Sequence, residues 1–207
     1  MPEVRSWTFP RIHDTCTGMN ASEGAGNFRP EIVEDYRDYH PPVGIKQLLD
    51  DLLEAVPSKY LKGLTTIVLT NKSGLTRDQR RQKIWGRNRK YPLAEARGAY
   101  YEATRYRTAS VWPLLDNILQ HEPPWVLRAP LLRYNALSSV MYHEIGHHIH
   151  AVHRPIFEGK ENVAEDWSRN LSRLFYRRRY WYLMPVAYPV SLILGIAKRI
   201  KKWIGRT

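Results

Sequence analysis

The sequence predicts one globular domain of the α+β class, and three patterns lead to this prediction. Two are long helical periodicities, over residues 130 to 151 and 160 to 179, and the third is a set of short β-branched or aromatic runs that precede them. The chain has 207 residues, of which 43% are hydrophobic, and this is enough for one substantial core. We therefore expect short strands and two long helices to share that core.

The chain begins with a segment that has no regular pattern. Residues 1 to 42 carry glycine and proline among scattered polar residues, so we predict a loosely structured N-terminal arm over 1–42. After Pro42, apolar residues recur at three- and four-residue spacing, which predicts an amphipathic helix that ends near Pro57. The β-branched run from Leu64 to Thr70 then predicts a buried strand.

The middle of the chain predicts an exposed basic segment followed by two strands. Residues 77 to 90 are rich in arginine and lysine, and we predict a loop or an exposed helix there. Residues 98 to 104 and 106 to 112 have the composition of strands that could form a hairpin, and residues 114 to 120 predict a short helical turn. Pro130 suits the first turn of a helix, so the first long helix is predicted to begin there.

Charge and cysteine usage indicate possible partners and a location. The net charge of +12 favours nucleic acid, anionic membrane or acidic protein surfaces as partners. The single cysteine, Cys16, cannot form an internal disulfide, and the N-terminus lacks the apolar run of a secretory signal. We therefore expect a cytoplasmic location.

Residues 143 to 148 read His-Glu-Ile-Gly-His-His and fall on the first long helix. Histidines four positions apart lie on one helix face, close enough to bind a single divalent ion. A catalytic zinc site needs one further protein ligand and keeps one position for water, whose pKa the ion lowers. We expect His143 and His147 to bind one Zn²⁺, and Glu144 to accept a proton from the water and pass it to the leaving amine.

The second long helix carries the candidates for the third ligand, because it can fold back antiparallel on the first. We favour Glu161 as the third ligand, because a carboxylate one turn after the ligand can accept the free N–H of a ligating histidine. Glu165 is the residue one turn after Glu161. If Glu165 were the ligand, the residue one turn later would be Arg169, which cannot accept a hydrogen bond. Counting helix turns favours Glu165 instead, since an antiparallel partner would meet His147 about five residues into the second helix. Glu165 therefore remains the orienting residue or the alternative ligand. The other acidic candidates are Glu158 and Asp166.

These residues resemble those of the zincin metallopeptidases of the gluzincin type, in which H-E-x-x-H is followed by a helix that carries a glutamate. Residues 161 to 168, Glu-Asn-Val-Ala-Glu-Asp-Trp-Ser, are similar to the E-x-x-A-[DN]-x-[FW]-[AS] pattern of the ImmA/IrrE-like and M48-like peptidases. The resemblance covers residues 130 to 180. It implies a zincin-like fold over 43–180, with a small mixed sheet packed against the H-E-x-x-H helix and the following antiparallel helix.

The resemblance also implies the site. The implied zinc ligands are His143, His147 and Glu161, and Glu144 is the implied catalytic acid and base. The interval between His147 and Glu161 is short for these families, and Glu165 stands where they usually have Asp or Asn.

Several other residues near the motif have ordinary explanations. The remaining histidines of this region are expected to be solvated or to contact the ligands: His148, His150 and His153. Three tyrosines are candidates for stabilising an oxyanion, but aromatic residues at such positions usually belong to the core: Tyr100, Tyr101 and Tyr134. Residues 13 to 16, His-Asp-Thr-Cys, are expected to be an ordinary tail and not a latency segment that blocks the metal.

We predict a zinc-dependent peptidase that hydrolyses a protein or peptide substrate. The alternative is a non-catalytic zincin-like regulatory or interaction protein whose basic surfaces bind nucleic acid, a partner protein or membrane. Trp85 and Tyr91 within the basic segment would allow nucleic acid stacking, although a solvated loop is the simpler interpretation.

Residues 181 to 207 form a hydrophobic and basic C-terminal segment. The uncharged stretch from Tyr180 to Ala197 is at the lower limit for spanning a bilayer, and Pro185 and Pro189 interrupt it. The residues after Ser191 read as a cationic amphipathic helix that could lie on an anionic membrane. Packing of this segment onto the domain is the alternative.

Overall fold

The computed structural model describes residues 28–85, 89–120, 122, 130–153 and 160–183, and over these residues the architecture is mixed α+β. Within these ranges the strands are β1 Glu31–Asp35, β2 Leu64–Thr70, β3 Lys83–Trp85, β4 Lys90–Pro92, β5 Gly98–Tyr101 and β6 Ala109–Pro113. The helices are α1 Ile45–Glu54, α2 Arg77–Arg81, α3 Leu115–Leu119, α4 Pro130–His153 and α5 Lys160–Arg179. Short 3-10 turns occur at Ser58–Tyr60, Leu93–Glu95 and Trp181–Leu183.

The main sheet has the strand order β1-β2-β6-β5. β1 and β6 pair in parallel with the central strand β2, whereas β5 pairs antiparallel with β6. The predictions of a small mixed sheet, of the strand at Leu64–Thr70 and of a hairpin formed by β5 and β6 are therefore confirmed. β5 lies at an edge of this sheet and contacts α4, so it is the strand nearest to the H-E-x-x-H motif.

Strand β1 lies inside the segment that we predicted to have no strand, and that prediction was wrong at Glu31–Asp35. Three of its five residues are acidic, and its central residues are only half-buried. Such a strand has no hydrophobic alternation, and its order comes from parallel pairing with Thr66 to Thr70 of β2. Residues 1–27, with the segment from His13 to Cys16, lie outside the described residues.

The predicted exposed helix of the basic segment is confirmed at Arg77–Arg81, but strands follow it where we predicted none. The segment forms α2 and then the hairpin of β3 and β4, which pair in a sheet of their own. A capping box begins α2: the Thr76 hydroxyl accepts from the Gln79 N–H at 3.3 Å, and the Gln79 side chain accepts from the Thr76 N–H at 2.8 Å. Ile84 of β3 faces Tyr91 of β4, and we call this pair of strands the basic hairpin.

The principal core lies between the main sheet and the helices α1, α4 and α5. The apolar face of α1 is buried as its periodicity predicts, and the Tyr142 hydroxyl of α4 donates to the Leu52 carbonyl of α1 at 2.9 Å. The spacing of apolar residues in α4 predicts a core-facing stripe of Tyr134, Leu137, Met141, Ile145 and Val152, and the first four are buried. The stripe ends there, because Val152, which we also assigned to it, is 49% exposed.

Helices α4 and α5 run antiparallel, as predicted. Ser168 donates to the Ser139 carbonyl at 3.2 Å, while Ala164 meets Gly146 further along α4. A Cβ on Gly146 would lie 2.8 Å from both the Cα and the carbonyl oxygen of Ala164. A glycine at this position of the motif predicts the close approach of another backbone, for which we expected an edge strand. The close approach is confirmed, but the strand was wrong, because the backbone that meets Gly146 is that of α5.

An ion-pair cluster connects the C-terminal end of α5 to α1. Asp51 of α1 accepts from Arg179 at 3.2 Å and from the Tyr134 hydroxyl, and its carboxylate is mostly buried. The neighbouring Arg178 donates to the carbonyls of Glu54 and Ala55 at the end of α1, where helix carbonyls otherwise lack partners. The three long helices are thus linked by polar contacts as well as by the core.

Among the described residues, no helix combines the length and the apolar character needed to cross a membrane. Residues 184–207, which hold most of the predicted C-terminal amphipathic segment, lie outside the described part of the chain.

We predict that Gly146→Ala destabilises the domain by about 1–2 kcal/mol. Alanine normally stabilises a helix interior relative to glycine by up to about 1 kcal/mol. At this position the added methyl group would meet backbone atoms of α5, which would have to move. Such overpacking costs about 1–3 kcal/mol, so it outweighs the gain in helix propensity. The midpoint of urea unfolding measures the change. Val152→Ala on the exposed side of α4 is the control and should change stability by less than about 0.5 kcal/mol. A Gly146→Ala variant more stable than the parent would contradict the close helix contact.

Candidate metal centre

The two motif histidines lie one turn apart on α4 and project toward the first turn of α5. Their ring centroids are 4.7 Å apart, with the ring planes nearly perpendicular at 86°. The Glu161 carboxylate lies across from both rings: its Oε2 is 3.4 Å from Nε2 of His143, and its Oε1 is 3.6 Å from Nε2 of His147. The structure therefore brings together the three residues that we favoured as ligands from the sequence.

These three side chains fit a zinc ion by donor type and by spacing. One ligand atom from each residue can be chosen so that all lie within 4.8 Å of one another. Ligand atoms around tetrahedral zinc are about 3.3 Å apart, and two histidines with one glutamate form a known catalytic donor set with an open fourth position. The His143, His147 and Glu161 side chains are 30%, 18% and 33% exposed, so solvent and substrate can reach them.

The structure distinguishes Glu161 from Glu165 by the partners of their carboxylates. The two residues are four positions apart on α5, so they lie on the same side of that helix. The Glu161 carboxylate faces Nε2 of both histidines, whereas Oε1 of Glu165 pairs with Arg169 at 2.7 Å. Counting helix turns favoured Glu165 because it compares heights along the helices and does not consider which partner a side chain pairs with.

The site attracts positive charge. The Glu161 carboxylate, as a hydrogen-bond partner, makes the largest contribution to raising the pKa of His143, and the charges of Glu144, Glu161 and Glu165 add to it, while burial opposes them. The same carboxylates that favour a proton on this ring would favour a metal ion between the ligands. Electrostatics and geometry therefore favour the same kind of occupant.

Glu144 is buried between α4 and the edge strand β5. Only 7% of the residue is exposed, and its carboxylate accepts a backbone hydrogen bond from Tyr100. Burial, with a contribution from the Glu161 charge, raises the pKa of Glu144 to about 7, against the lowering effects of His143 and of the Tyr100 amide. A divalent cation in the site would lower that pKa again because of its opposite charge.

A glycine in β5 makes this close approach possible. A Cβ on Gly98 would lie 2.8 Å from Cγ1 of Val140 and 3.1 Å from Cγ of Glu144. The strand backbone therefore reaches the Glu144 carboxylate only because Gly98 has no side chain. We expected a strand to approach the helix at Gly146. In the structure, the glycine that lets the strand approach the helix is Gly98 of β5 itself.

Two adjoining clefts open at the site. The metal cleft, of about 420 Å³, is lined by the three ligand residues and Glu144 and extends past Tyr100 and His150. The arginine cleft, of about 450 Å³, extends the other way from His143 and Glu144, past Ser139, and is lined by Arg89 and Arg97. An extended molecule could therefore lie across the candidate metal centre, with one end in each cleft.

The histidines that follow the ligands are buried, so the expectation that they would be solvated was wrong for His148 and His150. The His148 ring hydrogen-bonds with the Tyr100 hydroxyl at 3.3 Å and with the Lys62 carbonyl at 3.1 Å. His148 lies three residues after Ile145, which places it on the core stripe of α4. The spacing of that stripe was the signal for its burial. The side chain of His153 lies outside the described residues.

The tyrosines considered as oxyanion donors have hydroxyl partners elsewhere. Tyr101 donates to Gln82 at 3.3 Å, Tyr134 donates to Asp51, and Tyr100 contacts His148. A different tyrosine, Tyr91 of the basic hairpin, lines both clefts, and we did not identify it as a site residue from the sequence. Burial makes the largest contribution to raising the pKa of Tyr91, and the charges of Glu144 and Glu161 raise it further. Its phenol therefore stays protonated beside the metal centre and can donate a hydrogen bond there.

Comparisons of the chain with protein-family models, with curated protein sequences and with solved structures return no match. The geometry of the site is therefore what connects this chain to a function.

We predict that Glu161→Ala weakens zinc binding by about 100-fold or more, whereas Glu165→Ala weakens it by at most about tenfold. Glu161 faces both histidines, while Glu165 pairs with Arg169 and its charge contributes to raising the pKa of His143. Competition with a chromophoric chelator measures both affinities. Equal losses, or a larger loss for Glu165→Ala, would contradict the assignment of Glu161 as the third ligand.

Proposed function

We propose that the protein is a zinc-dependent peptidase with a zincin-like fold of the gluzincin type. The observation that supports this proposal most directly is the convergence of His143, His147 and Glu161, with the buried Glu144 carboxylate beside them. The small mixed sheet, the motif helix and the antiparallel helix that follows agree with the architecture that the resemblance implies.

The chemistry divides between the metal and the side chains around it. A zinc ion held by the three ligands would lower the pKa of a water molecule and polarise the scissile carbonyl. Glu144 then acts as general base, because its carboxylate can take the proton from the attacking water and deliver it to the leaving amine nitrogen. The hydrogen bond from the Tyr100 amide holds the Glu144 carboxylate in one orientation during both transfers.

The form of the cleft supports a peptide as substrate. β5 is an edge strand, and its residues Gly98, Ala99 and Tyr100 line the metal cleft. Such an edge can pair with an extended peptide through backbone hydrogen bonds. Tyr91 of the basic hairpin also lines this cleft, and its hydroxyl would donate to the oxygen that gains negative charge as water attacks.

We predict that Glu144→Gln lowers kcat by about 10²- to 10⁴-fold, because the amide cannot accept the proton. Zinc content and the urea unfolding midpoint should not change, since the replacement has nearly the same shape and is not a ligand. Hydrolysis of unfolded casein and of a mixed fluorogenic peptide library measures the effect. Glu34→Gln on β1, at the other edge of the sheet, is the control and should retain full activity.

Two outcomes would reject the peptidase assignment. The first is a Glu144→Gln variant that cleaves as fast as the parent, since cleavage would then come from a contaminant or another site. The second is a zinc-loaded parent protein that cleaves none of the peptides, and this result would favour the non-catalytic alternative, a zincin-like interaction protein with basic surfaces.

A further inference from the structure

The arginine cleft carries two guanidinium groups beside the metal centre. Arg89 precedes the first residue of β4, and Arg97 precedes the first residue of β5, so the two come from separate elements that meet at this cleft. The Arg97 carbonyl accepts from the Leu114 N–H at 2.8 Å, which fixes the backbone that carries this side chain. Arg89 lies two residues before Tyr91, which lines both clefts, and the Arg89 charge lowers the pKa of the Tyr91 phenol.

Both arginines are available for a ligand. Within the described residues neither side chain makes an ion pair or a side-chain hydrogen bond, and both residues are exposed. Two neighbouring arginines are engaged: Arg80 donates to the carbonyls of Leu75 and Ser73, and Arg107 stacks on the ring of Tyr101. Arg89 and Arg97 are thus the guanidinium groups that a ligand in the arginine cleft could contact.

Apart from the proposed metal ligands and Glu144, the two clefts are lined by different charged groups. The arginine cleft has two guanidinium groups and one carboxylate, Glu95. The metal cleft has one ammonium, Lys83, and one carboxylate, Glu102. A guanidinium presents paired N–H donors whose geometry matches a carboxylate. An anionic group is therefore favoured on the arginine side, and the other side has no such preference.

We propose that the arginine cleft binds a carboxylate of the substrate, so the preferred peptides carry an acidic side chain or a C-terminal carboxylate on that side of the scissile bond. This inference rests on the proposed peptidase function, because it assigns the substrate class of the same site. Arg97 and Arg89 are specificity-determining residues that touch the substrate, and neither takes part in the bond cleavage.

The first experiment uses fluorogenic peptides that share one cleavable core. One series varies a single flanking residue among Glu, Gln and Lys, at each position on either side of the cleaved bond. At the position that meets the arginine cleft, Glu should exceed Gln by about threefold to tenfold in kcat/KM, since exposed ion pairs contribute modestly and charge-assisted hydrogen bonds add to them. The preference should shrink at high salt.

A second series separates the two sources of the carboxylate. It compares peptides that end in a free carboxylate with the same peptides ending in a carboxamide, at increasing distance from the bond. A preference confined to this series identifies the chain terminus, and a preference confined to the first identifies an acidic side chain. No preference in either series overturns the proposal.

Charge reversal tests the residues. Arg97→Glu should invert the preference, so that Lys exceeds Glu at the same position, while Arg97→Lys should retain part of the preference for Glu. Arg77→Glu, an exposed residue at the start of α2 that does not line either cleft, is the control for net charge and should leave the order of substrates unchanged. An Arg97→Glu variant with the parent's preference would overturn the assignment.

Binding to the Glu144→Gln variant distinguishes this inference from the peptidase proposal. Fluorescence anisotropy with the labelled Glu and Lys peptides measures affinity without turnover. Tighter binding of the Glu peptide that is lost on further replacement Arg97→Glu supports the anion site even if the parent cleaves nothing. Cleavage by the parent with equal affinity for both peptides rejects the anion site and leaves the peptidase proposal intact.

Discussion

The close packing of α4 and α5 at Gly146 is the contact on which the candidate metal centre depends. The backbone of α5 can reach α4 there because a glycine faces Ala164, and a Cβ at position 146 would lie only 2.8 Å from two α5 backbone atoms. This contact sets the separation of α5 from α4. At that separation the Glu161 carboxylate faces His143 and His147, while the Glu165 carboxylate pairs with Arg169 on α5. The Ala of the E-x-x-A pattern thus has a physical explanation in this chain.

A second close approach places the buried carboxylate. Gly98 allows the edge strand to lie against α4, and the Tyr100 amide then reaches Glu144. His148 holds the same strand from behind through the Tyr100 hydroxyl. Strand β5, Glu144 and helix α4 are thus held together by two features. Gly98 has no side chain that would separate the strand from the helix, and the buried His148 of the helix contacts Tyr100 of the strand.

Much of the fold could be predicted because its elements follow simple periodicities. The helices around Leu48, Met141 and Leu171 and the strand around Ile67 have strong hydrophobic patterns, and the structure contains all of them. The shared position of His143 and His147 on α4 was predictable because four-residue spacing fixes a shared helix face. Strand β1 and the basic hairpin were not, because their order comes from pairing with other strands and not from their own composition. Tyr91 was missed for the same reason, since its place beside Glu144 depends on how the hairpin folds over the site.

The central claim is that His143, His147 and Glu161 together hold one zinc ion. Elemental analysis of the purified protein, beside a His143→Ala, His147→Ala double variant, tests this most directly. We expect close to one zinc per chain in the parent and almost none in the double variant, with both proteins folded by circular dichroism. A parent protein without bound metal after loading, or a folded double variant that retains its zinc, would contradict it.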